Sequence, residues 1–134
     1  MSRQNVEIVR RAIDATNRRD IDGALEAAAD DFKMDWSNSI GPLKGVYRGR
    51  EEVVNFWRSF IDAFESVRWD PEEIIDVDES RVIVVNHVRV RGRGSGVAVE
   101  GTGVQLWTIS GGEARSMKLF QSKDEALEAV GLSE

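Results

Sequence analysis

Glu73, His87 and Asp35 are the side chains of this sequence that could move a proton as a general base. Glu73 shares strand parity with Trp69 and Ile75, which predicts that it faces inward near the mouth of a cavity, where burial would raise the pKa of its carboxyl group. A charged, solvated strand edge is the alternative for Glu73. Strand parity predicts that His87, the sole histidine, faces outward. Asp35 would reach the interior only if its strand bulges or twists.

Other residues suit ligand binding rather than proton transfer. Asn86 interrupts an inward series of valines with an amide that needs a hydrogen-bond partner, either a ligand or another interior group such as Gln105, a hydroxyl or a trapped water. Tryptophan side chains offer flat apolar surfaces to a ring compound, although core filling is the alternative for each. Tyr47 could cover the entrance. The predicted pocket comprises Trp36, Tyr47, Phe56, Trp57, Val84, Asn86, Val88, Gln105, Trp107, Met117 and Leu119.

Motifs for metals and cofactors are missing from the sequence. The chain has no cysteine, which excludes disulfides, thiolate metal sites and cysteine nucleophiles. Gly92, Gly94 and Gly96 have the spacing of a phosphate loop, but they join two strands instead of opening a helix and therefore predict a hairpin. We accordingly predict neither a metal ion nor a cofactor.

The charge balance argues against nucleic acid as a partner. The 134 residues include 18 basic and 24 acidic side chains, and the net charge of −6 repels phosphate backbones. Arg89, Arg91 and Arg93 alternate with other residues, as in a strand with one solvated or partner-facing side. Residues 1–11 contain no apolar run long enough for a signal peptide or a membrane span, which predicts a cytoplasmic protein without membrane attachment.

The chain length predicts a single domain, residues 1–134, of the α+β class. Helical spacing of apolar residues predicts helices over 5–17, over 20–29 with Asp20 as the cap, and from residue 50 onward. Alternation predicts an early strand over 32–36, then four strands over 67–77, 81–91, 97–109 and 115–121 joined by short turns. A short helix over 124–130 closes the chain. Helices on one face of a strongly bent antiparallel sheet would make a cone around one pocket.

Five runs of the sequence resemble the SnoaL-like group of the nuclear-transport-factor-2-like superfamily: VRRAIDATNRRDIDGALEAAADDF, GVYRGREEVVNFW, RVRGRGSGVAVE, QLWTISGGEARSMKLF and DEALEAVGL. The resemblance covers nearly the whole chain. It implies a cone-shaped, mainly antiparallel sheet wrapped around helices, with one central pocket, and a homodimer formed through the outer face of the sheet. It implies no single reaction, because the superfamily includes isomerases, cyclases, dehydratases, epoxide hydrolases and binding proteins.

The ketosteroid isomerases of this superfamily are similar enough for their functional positions to be compared. Their general base falls on Trp36, their oxyanion-binding tyrosine on Ala12 and their protonated acid on Gln105. Two of these three groups are lost, so the resemblance does not extend to that isomerase mechanism. Relatives of the SnoaL-like cyclases carry histidine at the position of Gln105, and glutamine can orient a ligand oxygen but cannot titrate.

Two hypotheses for function follow from these observations. The first is a pocket protein that holds or converts a small hydrophobic, ring-containing molecule without a cofactor. Conversion would be cyclisation, isomerisation or dehydration through proton transfer. The second is a module of the same fold without turnover, which binds a ligand or uses its sheet face for a protein partner.

Overall fold

Four helices and six strands make up the part of the chain that the computed structural model describes, residues 2–39 and 43–132. In chain order they are α1 (Ser2–Asn17), α2 (Ile21–Ala24), β1 (Ala28–Asp35), β2 (Val46–Arg48), α3 (Gly49–Ala63), β3 (Phe64–Asp76), β4 (Arg81–Gly92), β5 (Ala98–Ser110), β6 (Glu113–Phe120) and α4 (Lys123–Ala129). The predicted α+β class is confirmed.

The strands form one mixed sheet in the order β2-β1-β6-β5-β4-β3, which is not closed into a barrel. Strands β3 to β6 pair antiparallel with their neighbours, as their short connecting turns predict. Strand β1 joins β6 in parallel, and β2 pairs antiparallel with β1 at that edge. The edges of the sheet are therefore β2 and β3.

Apolar side chains on the two faces of the sheet pack against different helices. Val82, Val84 and Trp107 face α1 and α3 in the larger core, and we call this side the inner face. Ile83 and Val104 lie on the opposite, outer face, where they pack with residues of α4. The expectation that all helices share one face is therefore wrong, because the apolar outer residues at this end of the sheet also require cover.

Helix α1 is fastened to the sheet by two asparagine side chains. The amide of Asn17 donates to the carbonyl of Trp69 at 2.9 Å and accepts from the N–H of Trp69 at 2.9 Å. Near the start of the helix, Asn5 donates to the carbonyl of Glu79 at 2.7 Å. Helix α1 ends at Asn17, and Arg19 then adopts a left-handed backbone conformation with φ of 61°. These bonds set the position of α1 over β3 and β4.

The second helix is shorter than predicted and the first strand is longer. Asp20 caps α2 by accepting from the N–H of Gly23 at 2.9 Å, but the helix ends at Ala24. The chain instead extends from Ala28, because the N–H of Ala114 bonds to the carbonyl of Ala27 and opens the parallel ladder of β1 with β6. Strand β2 was also not predicted, since its three residues lie within a segment of turn-forming composition.

A bulge in β3 reverses the alternation of its side chains. Trp69 pairs with Val88 and Pro71 with Asn86, but Glu73 pairs with Val85 rather than with Val84. Cross-strand partners point to the same side of a sheet, so Trp69 lies on the inner face whereas Glu73 lies on the outer face. Strand parity counted from Trp69 therefore fails beyond Pro71.

Candidate functional site

A small cavity of about 40 Å³ lies between helices α1 to α3 and the inner face of the sheet, and we call it the central cavity. Such a volume holds about one water molecule, whose share of liquid volume is about 30 Å³. Strands β5 and β6 supply Gln105, Trp107, Ala114 and Met117 to its wall. The remaining lining residues are Ile8, Ala12, Ile13, Thr16, Ala24, Leu25, Ala27, Ala28, Phe32, Met34, Trp57 and Trp69.

The polar groups of the central cavity are neutral. Gln105 is 7% exposed, and its Oε1 accepts a hydrogen bond from Nε1 of Trp107 at 2.9 Å. This bond uses the acceptor of the Gln105 amide and leaves its N–H donors for a ligand. The Thr16 hydroxyl donates to the carbonyl of Ala12 at 2.8 Å. These groups can orient a ligand oxygen, but they cannot exchange protons with it near neutral pH.

A larger space of about 410 Å³ lies beside the β4–β5 hairpin, and we call it the hairpin groove. Its aromatic wall consists of Trp36, Phe60, Phe64 and Trp69, and its other residues are Ser39, Leu43, Val88, Val90, Val99, Glu100, Gly101, Thr102, Gly103, Leu119 and Gln121. This groove was not predicted from the sequence as a space of its own. The sequence does contain a signal for it. Alternation along β5 places Gly101 and Gly103 on the same face as Gln105 and Trp107, and glycines at inward positions leave space.

Asn86 lies on the inner face, at the position opposite Gly103 on β5. Its side chain is completely buried, and neither its Nδ2 nor its Oδ1 has a hydrogen-bond partner among the described residues. The only other buried side-chain atom in this state, within the described ranges, is Nε1 of Trp36. Buried polar groups are usually paired, so these two side chains mark a place where a partner is missing.

The predicted pocket residues divide into three groups. Trp57, Gln105, Trp107 and Met117 line the central cavity. Trp36, Val88 and Leu119 line the hairpin groove instead. The remaining four, Tyr47, Phe56, Val84 and Asn86, line neither space.

Tyr47 and Phe56 belong to an aromatic cluster rather than to a pocket. The ring of Tyr47 packs 4.7 Å from that of Phe56, and Phe56 packs 4.8 Å from Trp36. The Tyr47 hydroxyl donates to the carbonyl of Leu43 at 2.7 Å, which holds the side chain in this position. Tyr47 therefore packs beside Leu43, which lines the hairpin groove, but does not itself line either space.

Glu73 does not face inward, because the bulge at Pro71 places it on the outer face of the sheet. Its carboxylate is exposed and forms an ion pair with Lys123 of α4 at 2.9 Å. The inward orientation predicted for Glu73 is therefore wrong. Glu73 is instead a charged, solvated residue of the strand, as in the alternative interpretation of the sequence.

His87 lies on the outer face, where its parity with Val85 and Arg89 places it. Its Nε2 lies 2.6 Å from Oε1 of Glu100 on the neighbouring strand, and the side chain is 36% exposed. Neither the central cavity nor the hairpin groove includes it among the lining residues. The structure thus separates the sole histidine from the interior of the protein.

Asp35 ends β1 opposite Lys118 and does not line either space. Partial burial would raise the pKa of its carboxyl group, but the Ser37 hydroxyl at 2.6 Å and the Ser37 N–H at 3.0 Å donate to it. With Lys118 and Lys33 nearby, these bonds lower the pKa below its usual value. Asp35 is therefore a poor proton acceptor near neutral pH.

The arginine series forms contacts within the protein. Arg89 pairs with Asp70 at 2.9 Å, and Arg91 donates to the carbonyl of Gly96 at 2.7 Å. Arg93 donates to the carbonyls of Ile61, Asp62 and Phe64 at the end of α3.

Among residues 2–39 and 43–132, no group of three or more acidic or histidine side chains could hold a metal ion. None of the helices described here is long and apolar enough to cross a membrane.

Comparison with known proteins gives a family match and several similar structures. The SnoaL-like domain family matches residues 9–117. TerC, in a crystal structure with polyporic acid, is 22% identical over 95% of this chain and 98% of its own, with a TM-score of 0.80. An NTF2-like protein of unknown function from Burkholderia pseudomallei is 26% identical over 96% of this chain and 98% of its own, with a TM-score of 0.79.

A third similar structure is a Mycobacterium tuberculosis protein in complex with estradiol-17β-hemisuccinate. It is 19% identical, covers 90% of this chain and 95% of its own, and has a TM-score of 0.75. No curated protein matches the sequence. The structural similarities below 25% identity establish the fold and leave the ligand open.

Proposed function

Because this chain belongs to the SnoaL-like family, we propose that it binds a small, neutral, largely apolar molecule on the inner face of its sheet without transferring a proton itself. Two similar folds support a ring-containing, largely apolar ligand, since TerC was crystallised with polyporic acid and the M. tuberculosis protein with estradiol-17β-hemisuccinate. Both compounds carry an acidic group, so the neutral charge proposed here is supported by the uncharged lining of the central cavity. A protein that binds without turnover is also one of the two functions that the sequence indicates.

The observation that carries this proposal is the chemistry of the central cavity. Its described lining residues are aliphatic, aromatic or neutral polar, and none of them is titratable. General acid–base catalysis requires a titratable group within hydrogen-bond reach of the reacting proton, directly or through one water molecule. Gln105 can therefore donate to a ligand oxygen that enters or approaches this small cavity, but no described lining side chain would take the ligand's proton.

The candidate bases give the same result when each is considered in turn. Glu73 is engaged by Lys123 and His87 lies beside Glu100, both on the outer face. Asp35 has a lowered pKa and bonds to Ser37. Since none of the three reaches the inner face, binding accounts for the arrangement better than proton transfer does.

All four tryptophans line the central cavity or the hairpin groove, so ligand binding can be measured by intrinsic fluorescence. The experiment is a titration of the protein with polycyclic ketones, phenols and fatty acids, followed by recovery and chemical analysis of each ligand. Trp107→Phe and Trp36→Phe form a matched pair, because Trp107 lines the central cavity but not the groove, whereas Trp36 lines the groove but not the cavity.

We expect saturable quenching by one ligand class, with the bound compound recovered unchanged. The variant that loses more of the signal shows which space the ligand occupies. Quenching by no member of the panel would overturn the binding proposal. Recovery of a converted product would contradict the proposal that the protein transfers no proton to or from its ligand.

We also propose that two copies associate through the outer face of the sheet. The support is membership of the SnoaL-like family, because the resemblance to this family implies a homodimer through that face. Exposed side chains of the face, such as Asp70 with Arg89 and His87 with Glu100, are paired within the chain. Sedimentation equilibrium over a concentration series tests this proposal. A monomer at every concentration would exclude self-association.

A further inference from the structure

The inward residues of β5 change abruptly in size along the strand. Trp107 and Gln105 fill the inner face at one end, whereas Gly103 and Gly101 follow them with no side chain. Neither glycine has a positive φ, so the backbone does not require glycine at these positions. A Cβ atom at Gly101 would meet no atom of residues 2–39 and 43–132 within 4 Å. Gly101 thus leaves open part of the space that forms the hairpin groove, whereas the Val88 side chain packs over Gly103, with its Cγ2 3.0 Å from where a Cβ atom would lie.

The buried amide of Asn86 adjoins this open space. Asn86 pairs with Gly103 on β5, and the next residue of β4 on the same face is Val88. Gly103 and Val88 both line the groove. Among the described residues, neither polar atom of the Asn86 amide has a partner, and Nε1 of Trp36 in the groove wall has none either. Removing such groups from water without a hydrogen bond is unfavourable, which points to a partner that comes from outside the chain.

The groove also restricts the charge and shape of that partner. Glu100 is the single titratable residue among its described lining residues, and its carboxylate pairs with His87 on the outer face. A charged ligand would therefore find no opposite charge to pair with inside the groove. The rings of Phe60 and Trp69 pack 5.8 Å apart and present flat apolar surfaces. These features suit a neutral, flat molecule.

We propose that the hairpin groove binds a neutral, flat ring compound whose edge carries a hydrogen-bond donor beside an acceptor, as in a lactam, and that the Asn86 amide pairs with this edge. A carboxamide offers one acceptor oxygen and an NH₂ donor side by side, so it matches such an edge with two hydrogen bonds. To reach the buried Asn86 amide, the ligand displaces the side chains that cover the amide. The proposal rests on the proposed function and assigns its binding site and ligand class.

Two probes of similar size test the proposal by isothermal titration calorimetry. 2-Quinolinone has the lactam N–H beside its carbonyl, whereas 2-methoxyquinoline keeps the ring system without that donor. The variants are Asn86→Leu, which removes the amide, and Gly101→Val, which fills the groove. Thr108→Val is the matched control, because Thr108 lies on the same strand as Gly101, faces outward opposite Arg81 and lines neither the groove nor the central cavity. Gln105→Leu tests the central cavity in the same way.

We expect the wild-type protein to bind 2-quinolinone about tenfold more tightly than 2-methoxyquinoline, because only the lactam N–H can donate to Oδ1 of Asn86 and one hydrogen bond can supply about this difference. Asn86→Leu should remove this preference, and Gly101→Val should weaken binding of both probes by about tenfold or more. Thr108→Val should change neither the preference nor the affinity. Thermal melts verify that each variant is folded, and Gly101→Val tests the groove even if Asn86→Leu fails to fold.

Other outcomes separate this inference from the proposed function. A preference that persists in Asn86→Leu, or unchanged binding by Gly101→Val, would overturn the groove assignment. Loss of binding in Gln105→Leu alone would place the ligand in the central cavity, so that the proposed function stands and the groove assignment falls. If the wild-type protein binds neither probe and no member of the ligand panel quenches its fluorescence, both proposals fail.

Discussion

The two ends of the inner face differ although the same strands build them. At the closed end, Gln105, Trp107 and Met117 pack against the helices and leave a cavity of about 40 Å³. At the open end, Gly101 and Gly103 line a groove of about 410 Å³, and Val97 and Val99 are each 61% exposed. The sheet itself does not determine where space remains. The size of the side chain at every second residue of one strand does.

The largest expected effect of a substitution is at the closed end. Trp107→Ala should lower the free energy of unfolding by about 3–5 kcal/mol, the usual cost of removing a large aromatic side chain from a core. Urea denaturation followed by circular dichroism measures the change. Val99→Ala at the exposed open end is the control, and an equal loss in both variants would contradict the distinction between the two ends.

Two amide side chains on the inner face should respond to the same substitution in opposite ways. Asn86→Leu should raise the free energy of unfolding by about 1–3 kcal/mol, because it removes two buried polar atoms that have no partner. Gln105→Leu should lower it by a similar amount, since Nε1 of Trp107 then loses its acceptor. Thermal and urea denaturation of both variants measure these changes. Destabilisation by Asn86→Leu would show that its amide has a partner in the free protein.

The sequence is sufficient to predict much of the inner face. Strand parity places Asn86 and Gln105 on it correctly, because β4 and β5 pair without a register shift from Arg81 to Arg91. The same reasoning fails for Glu73, where a bulge beside Pro71 shifts the register by one residue. A bulge depends on how two strands fit together, and alternation within one strand does not contain that information.

Cavity size was the second feature that the sequence could not provide. Trp36, Trp57 and Trp107 were predicted to share one pocket wall, yet Trp36 lines the groove whereas Trp57 and Trp107 line the cavity. Whether aromatic residues fill a space or surround it depends on rotamers and packing, which spacing along the chain does not determine. Counting every second residue back from Gln105 would have identified Gly103 and Gly101 as inward-facing positions.

A smaller effect is expected at the open end. Gly101→Val should raise the free energy of unfolding by about 0.5–1 kcal/mol, because valine favours the extended backbone and loses less conformational freedom than glycine on folding. The backbone at Gly101 is compatible with this change and its surroundings are open. Urea denaturation against the wild-type protein is the measurement. A loss of stability would mean that the open end is not open in solution.

The smallest expected effect concerns the turn between β3 and β4, beside the closed end. Arg81 and the Ser80 N–H donate to Asp78 and lower the pKa of its carboxyl group from the usual 3.8 to about 2. A lowered pKa in the folded state stabilises the protein above the unfolded value, and this contribution disappears as the pH falls toward 2. Asp78→Asn should therefore unfold with a weaker pH dependence between these values. Identical acid-unfolding curves for the two proteins would exclude this contribution.

The amide of Asn17 also affects how this protein behaves at high concentration. Strand β3 is a 13-residue strand at the edge of the sheet, and an uncovered edge of that length invites pairing with a strand of another molecule. The Asn17 side chain occupies both the N–H and the carbonyl of Trp69, and Pro71 two residues later has no N–H to offer. A side chain of α1 thus takes the place of a neighbouring strand, and it protects the sheet against edge-to-edge aggregation.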